Sequence, residues 1–534
     1  MGVGAVPAGR IGALATPGGV CVSAEVFEEV RDRLPDRFEQ LPTQWFQGGS
    51  AARPVYRVRM PWDLRGQPDA PSSPVRLAVL PFENASPDPA DGYFADGLTQ
   101  EVIAAISKIR GLRVIARTSV HDYRQGRSSV SRVGSELGVA SVLQGSVCKS
   151  LRRLRVTLQL TDTRANEPLW ETSYDRELAD VFAIQSEIAE RTAAALRLEL
   201  VGFDRELIRK RPTASLPAYN LFLKGLHAVH RSTVDGYTES LAYFEGAIRE
   251  DPQFSLAYAH LANTLLILAG ERIALADATP RAKALARRAL ELDSNSAEAH
   301  TARGNIALQI EQNWPVAEAE FRTALSLNPS DAGAHYWYAV LLKALRRFDE
   351  AIRELETVLE LDPLWELPRN VLIGAYHSSG DLGSAIALAA EERGRRPGDP
   401  VPHVWLGLTY ARAGRNEQAR REATLASGPI PENYRIRRAV LWALLGEPEE
   451  ARLLLRDFEA AARTRYVRPT VFATLLSVLG ERTKALEWLE RDQSESRTLW
   501  LDYQGRAFDP IRRTPRFQAL LRALQLPNER TARS

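Results

Sequence analysis

Two cysteines in 534 residues, Cys21 and Cys148, are too few and too far apart for a disulfide framework, and no CxxC spacing offers a thiolate metal site. Net charge is nearly absent as well: 69 Lys and Arg face 67 Asp and Glu, so no general attraction to nucleic acid or to a membrane surface exists. No run of eighteen apolar residues occurs, and the start MGVGAVPAGR has no apolar stretch of signal-peptide length. Val6 stands where a myristoylation motif needs Ser or Thr. These gaps lead to the expectation of a cytoplasmic chain with no membrane and no nucleic-acid partner, and with neither cofactor nor metal. What remains is ordinary globular chemistry, 45% hydrophobic and 25% charged residues, in a chain too long for one core.

The strongest positive signal is a repeat. Ala317, Ala351, Ala385 and Ala419 lie 34 residues apart, and Pro329, Pro363, Pro397 and Pro431 follow each by twelve. A strict period of that length indicates a solenoid of helix pairs whose small residues let backbones approach, each pair closed by a proline. In LGLTYARAGRNEQARREATLASGPIP, the residues Leu406, Gly407, Tyr410, Ala419, Ala423, Ala426 and Pro431 fall in the consensus register, and the stretch resembles the tetratricopeptide repeat. About eight pairs are expected over residues 217–505, with an insertion near 272–280 and a capping helix at 506–528.

Upstream, residues 75–200 read as a mixed α/β domain. VRLAVLPF is a buried strand, and Leu98, Val102, Ile103 and Ile106 recur at helical spacing before Gly111 ends the helix. LRVIARTSV reads as a second strand and VSRVGSELGVA as a short helix. Next, SVLQGSVCKSLRRLRVTLQLTD reads as a hairpin in which Val156, Leu158 and Leu160 face inward, LWETSYDREL as a strand, and 181–200 as a closing helix. LAVLPFEN, YFADGLTQEVI, LRVIARTSV, LQGSV and LWETSYDREL resemble TolB amino-terminal-like domains of bacterial multidomain signalling proteins. Asp88, Asp91 and Asp96 lack EF-hand spacing and are expected to cap or turn the chain. His121 stands alone and is given no catalytic role. Residues 61–74 and 201–216 read as linkers, the latter with a solvated basic cluster.

RIGALATPGGVCVSAEVFEEVRDRL and ARPVYRVRM, within residues 1–60, resemble the C-terminal part of class III adenylate and guanylate cyclase domains, with PTQWFQGGSA departing from the pattern. The resemblance places Arg10 on the transition-state arginine and Val6 on the ribose-orienting asparagine, so one of that pair is missing. The two metal-holding carboxylates of such domains lie upstream of what this chain contains, and phosphoryl chemistry depends on them. Arg10 is therefore expected to be vestigial.

The fold expected is thus multidomain: a small incomplete cyclase-like α/β segment, a TolB-like α/β domain and an all-α repeat solenoid. Stacked first helices line a concave groove suited to a peptide. The repeat register places Asn305, Tyr336, Lys343, Asn370, His377 and Arg412 in it, with amides to bond a peptide backbone and cations to meet carboxylates. Thr301 and Trp337 stand where a clamp for C-terminal carboxylates needs Lys and Asn, so chaperone-tail binding is not expected. The function expected is that of a non-catalytic signalling scaffold that binds a protein or peptide. The alternative is a cyclase truncated or mis-started, with its catalytic domain completed upstream. A transcriptional regulator is a third reading and is disfavoured, since no helix-turn-helix or basic recognition stripe precedes residue 75.

Overall fold

The computed structural model describes, of the first 73 residues, Val20–Ser23, 27–28, Phe38–Gln40 and Val55–Val58. Within 74–526 it describes all but 121–122, 124–128, 151, 201, 232, 270–272, 274, 465–466 and 496–505. The chain divides into two compact units, Met1–Pro74 and Val75–Ser534.

In the first unit β1 (Val20–Ser23), β2 (Phe38–Gln40) and β3 (Val55–Val58) form an antiparallel sheet with β3 central, Val58 lying opposite both Val20 and Phe38. The expected strands at both ends are present, and β2, a short charged segment with no alternating pattern, is an addition. Phe27 stacks on Tyr56 with ring centroids 3.9 Å apart. Val6, Arg10 and PTQWFQGGSA lie outside the described residues, as does most of the expected helix around Phe27.

The second unit begins with an α/β part. Its elements are β4 (Val75–Val79), β5 (Glu83–Asn84), α1 (Gly92–Ser107), β6 (Leu112–Val114), α2 (Arg117–Val120), α3 (Val130–Leu137), β7 (Ser141–Ser150), β8 (Arg153–Asp162), β9 (Pro168–Glu177) and α4 (Val181–Ala195). The strand order is β6-β4-β7-β8-β9, with β5 paired to β7; β4 runs parallel to both neighbours, and β7, β8 and β9 are antiparallel. Apart from Arg76, VRLAV is apolar without alternation because both sheet faces are covered. Leu77 and Val79 join the core with α1 and α4, whereas Ala78 and Leu80 join that of α2 and α3. On β8, by contrast, Leu154, Val156, Leu158 and Leu160 are buried while Arg153, Arg155 and Thr157 stay exposed.

Two expectations need correction in this part. LRVIARTSV is strand only to Val114, since Arg117–Val120 is helical and buries Arg117. Asp88 does cap, accepting from the Ala90 amide at 2.8 Å, and Asp91 pairs with Lys149 at 2.7 Å. Asp96, however, is buried inside α1 and held by Arg117 at 3.5 Å and His227 at 2.9 Å. A buried carboxylate needs such partners. His121 lies outside the described residues.

The stretch read as a linker contains a helix, α5 (Gly202–Arg209), with Asp204, Leu207 and Ile208 buried, and Lys210 of the basic cluster pairs with Asp293 at 2.5 Å. Eight helix pairs follow among the described residues: α6 and α7 (Leu216–His230, Val234–Glu250), α8 and α9 (Ser255–Leu268, Leu275–Leu292), α10 and α11 (Ala297–Ile306, Trp314–Leu327), α12 and α13 (Ala332–Ala344, Phe348–Leu361), α14 and α15 (Glu366–Ser379, Leu382–Arg395), α16 and α17 (Val401–Arg412, Asn416–Leu425), α18 and α19 (Glu432–Leu444, Glu449–Ala461), and α20 and α21 (Pro469–Val478, Arg482–Glu495). The insertion expected at 272–280 is shorter than read, because α9 starts at Leu275 and carries Pro280 within it.

Ala317, Ala351, Ala385, Ala419, Ala451 and Ala485 have no exposed surface. The closeness of the helices is measured at Gly407, where an added Cβ would lie 2.4 Å from Leu441 Cδ2. Nothing larger than glycine fits there without displacing Leu441. The closing helix, α22 (Pro515–Ala523), buries Phe517, Leu520 and Leu521. It also returns to the third pair: Trp314 Nε1 donates to the Leu524 carbonyl at 2.8 Å.

Candidate functional site

The α/β part is docked along the array. Helix α1 packs on α6, where Gly97 would bring a Cβ within 2.7 Å of Leu223. Further along, the Arg113 guanidinium donates to the Pro329 carbonyl at 2.9 Å, Ser330 Oγ to the Leu112 carbonyl at 3.1 Å, and the Ala116 amide to the Leu361 carbonyl at 2.6 Å. Thr118 and Ser119 both donate to Asp362, and the Leu364 amide donates to Ser119 Oγ at 2.8 Å. Attachment at the first pair and again at the turns around 330 and 362 leaves a bridge over the helices between.

Beneath that bridge lies a cavity of about 1470 Å³. Its walls follow from helical periodicity. Gln100, Glu101, Ala104 and Lys108 share the face of α1 opposite the core residues Leu98, Val102 and Ile106. From α8 come His260, Asn263 and Ile267; from α10, Glu298, Thr301 and Asn305; from α12, Tyr336 and Trp337. Asn263 follows Ala262 and Asn305 follows Gly304, so the two amides hold equivalent places on successive first helices.

The wall is polar without being saturated. Among the described residues Gln100 Oε1, Asn263 Oδ1, Thr301 Oγ1, Asn305 Oδ1, Arg117 Nε and His230 Nε2 have no hydrogen-bond partner. Buried acceptors are ordinarily paired, and an unpaired one costs about 1–3 kcal/mol. Burial and then neighbouring Glu298 push the Glu101 carboxyl up to about 7, against the opposing pull of Lys108. Glu101 retains some accessible surface only because it faces the cavity. Burial, with Glu298 again contributing, raises Asp331. Burial lowers His260 despite Glu298, and lowers His230 with help from Arg117. Among the described residues no three His, Cys, Asp or Glu side chains converge on a metal position.

Of the six residues expected in the groove, the cavity takes Asn305 and Tyr336 only. Tyr336 is no free platform: it is 3% exposed, packed edge-on against Trp337 and close to Trp365, and burial raises its phenol. Asn370 is buried as well, its Nδ2 donating weakly to the Glu366 carbonyl at 3.4 Å and its Oδ1 unpartnered. His377 meets Thr409 Oγ1 at 3.3 Å, and Arg412 donates to the His377 carbonyl. These two therefore form a cluster of their own further along the array, and Lys343 is half-buried with its Nζ 3.7 Å from the Cβ position of Gly374. Arg10 lies outside the described residues. Sequence reasoning missed Gln100, Glu101 and Glu298, whose only signal is an outward helix face no different from a solvated one.

Comparison with known proteins bears on the repeats. Residues 308–369, 341–400 and 371–503 match tetratricopeptide repeat models. The C-terminal part of the chain is accordingly an all-helical tetratricopeptide repeat solenoid, preceded by a mixed-sheet region. A protein named putative adenylate cyclase 3, from Rhizobium meliloti (strain 1021), is 33% identical over 314 residues, 56% of this chain. The chain spans about half of that relative's length, 53%. Similar solved structures include YrrB, described as a TPR protein with an unusual peptide-binding site (25% identical, TM-score 0.29, 34% of this chain and 90% of that one). Another is a tetratricopeptide repeat protein from Parabacteroides merdae ATCC 43184 (18% identical, TM-score 0.36, 49% and 99%). Among the described residues no helix is long and apolar enough to cross a membrane.

Proposed function

We propose that this chain is a signalling scaffold that holds a protein partner by a peptide segment laid along the inner helices of the repeat array. The observation that carries the reading is the pair of equivalent amides, Asn263 and Asn305, which line the cavity and whose side-chain oxygens have no hydrogen-bond partner among the described residues. An amide at a repeated position suits a peptide backbone, because it offers both a donor and an acceptor at each step. In this reading residues 75–200 are a TolB-like domain that roofs the peptide site, and the protein is non-catalytic.

The test is capture of a partner on the immobilised full chain, with its binding segment mapped on a peptide array. Asn263→Ala with Asn305→Ala should weaken that segment's affinity at least tenfold. A partner indifferent to both changes but lost with Arg155→Ala, on the exposed face of the sheet, overturns the reading.

The relative named a putative adenylate cyclase supports a second reading, in which this chain is the regulatory portion of a cyclase whose catalytic part is completed upstream. Its test is cyclic nucleotide formation from ATP or GTP with magnesium or manganese. Turnover above a denatured control that disappears in Arg10→Ala would favour it over the scaffold.

A further inference from the structure

The cavity wall has an unbalanced chemistry. Among the described residues its buried atoms without a hydrogen-bond partner are four oxygens, Gln100 Oε1, Asn263 Oδ1, Thr301 Oγ1 and Asn305 Oδ1, and two nitrogens, Arg117 Nε and His230 Nε2, with Thr301 and Asn305 more than nine-tenths buried. Glu298, Thr301 and Asn305 form a single row along α10, at spacings of three and four residues. Opposite, on α1, Glu101 has no hydrogen bond or ion pair among the described residues, yet it and Asp331 both lie within electrostatic reach of Glu298. Acceptors and carboxylates thus converge from both walls.

Among the described residues the cavity's own cations form no hydrogen bond or ion pair with Glu101, although Lys108 pulls its carboxyl down. Lys108 donates to the Leu207 carbonyl at 3.3 Å, Arg117 is held by Asp96, and Lys210 is held by Asp293. Arg211 is exposed, and Arg468 is engaged elsewhere. His230 and His260, lowered by burial, are neutral at pH 7. Among the described residues no three His, Cys, Asp or Glu side chains converge there. Apolar surface from Ile103, Leu226, Ile267 and Trp337 completes the lining, which suits an aliphatic stem beside a charged head.

We propose that this cavity is a binding site for an organic cation, the guanidinium or ammonium head of an arginine or lysine side chain in the partner's peptide segment, seated between Glu101 and the Glu298–Asn305 row of α10. This rests on the reading of the inner helices as a peptide site and adds to it the chemistry of the occupant. Guanidinium carries five donors and no acceptor, matching the carboxylates of Glu101 and Glu298 and the unpartnered oxygens beside them. The volume exceeds the 300–1,000 Å³ or so that encloses a small molecule, and so accommodates a stretch of chain around the basic residue.

The experiment is calorimetric titration of the full chain with three probes: a capped leucine-flanked arginine peptide, its citrulline counterpart and free agmatine. The arginine peptide should bind at least tenfold more tightly than the citrulline peptide, because citrulline keeps the shape and removes the charge. Glu101→Gln and Glu298→Gln should each erase that preference, while Glu101→Gln keeps or raises the melting temperature, which separates lost recognition from lost folding. Equal binding of the two peptides, both weakened by Asn305→Ala, would overturn the cation site and leave the peptide reading standing. Binding of agmatine alone would overturn the peptide as its source. Absence of binding by all three probes would overturn the cation site, with the peptide reading then judged on its captured partner.

Discussion

The seam between successive helix pairs and the seam between the α/β part and the array are built on opposite principles. In the first, small residues without exposed surface repeat every 34 positions, and the contact is dry. In the second, the apolar packing of α1 on α6 holds one edge and hydrogen bonds at Pro329, Ser330, Leu361 and Asp362 hold the other, while the centre is a cavity whose lining includes unpaired oxygens. The dry seam is stable because every atom has neighbours. The wet one carries unsatisfied groups, a cost that stability alone does not explain, and such conflicts concentrate at functional sites.

The largest test of this contrast is steric. Ala351→Trp inserts an indole into a fully buried site, whereas Ala461 is half-exposed near the end of α19. We expect Ala351→Trp to lower stability by about 3 kcal/mol or more and Ala461→Trp by well under 1 kcal/mol in urea denaturation. Equal shifts would break the register. A combined Asn305→Ala, Tyr336→Ala and Asn370→Ala variant, which an exposed groove would tolerate, should also melt early because all three side chains are buried.

The wet seam should show the reverse sign. The Glu101 carboxyl titrates at about 7 when folded and near 4.5 when unfolded, so the folded chain retains a proton that the unfolded chain has released between those values. Stability therefore falls as pH rises through that window, and the cost is fully present above pH 7. Glu101→Gln should stabilise by about 2 kcal/mol at pH 8, after allowance for cavity water, with no gain at pH 4. A pH-independent difference would show that the carboxylate is not unpaired.

At the seam's edge, Asp362→Ala leaves Thr118 and Ser119 without their acceptor and should cost about 1–2 kcal/mol. Hydrogen exchange should quicken at the Ala116 and Leu364 amides while the inter-pair helices keep their protection. The smallest effect is expected at His300. Burial opposes its charge, but Glu320 and the Ser294 carbonyl outweigh burial and raise it above 6.5. The stability this contributes is full below pH 6.5 and lost as pH rises through the folded value. His300→Gln should therefore cost about 0.5–1 kcal/mol at pH 6 and less at pH 9, read from paired denaturation curves.

Whatever is local or periodic was legible in the chain of residues alone. The alanine and proline markers located the helix pairs because close packing at one spacing admits only small residues, and Leu77–Val79 announced a buried strand because both faces of the sheet are covered. Asn305 and Tyr336 were placed on the inner helices by the same register. Their burial was not legible, since it depends on Trp337, Trp365 and a roof contributed from residues some two hundred positions away. That Glu101 comes within electrostatic reach of Glu298 follows from docking alone. One turn of α1 looks like another until docking makes one face an interior, and that docking joins an apolar core shared with α6 to single hydrogen bonds at distant turns, which leave no period in the chain.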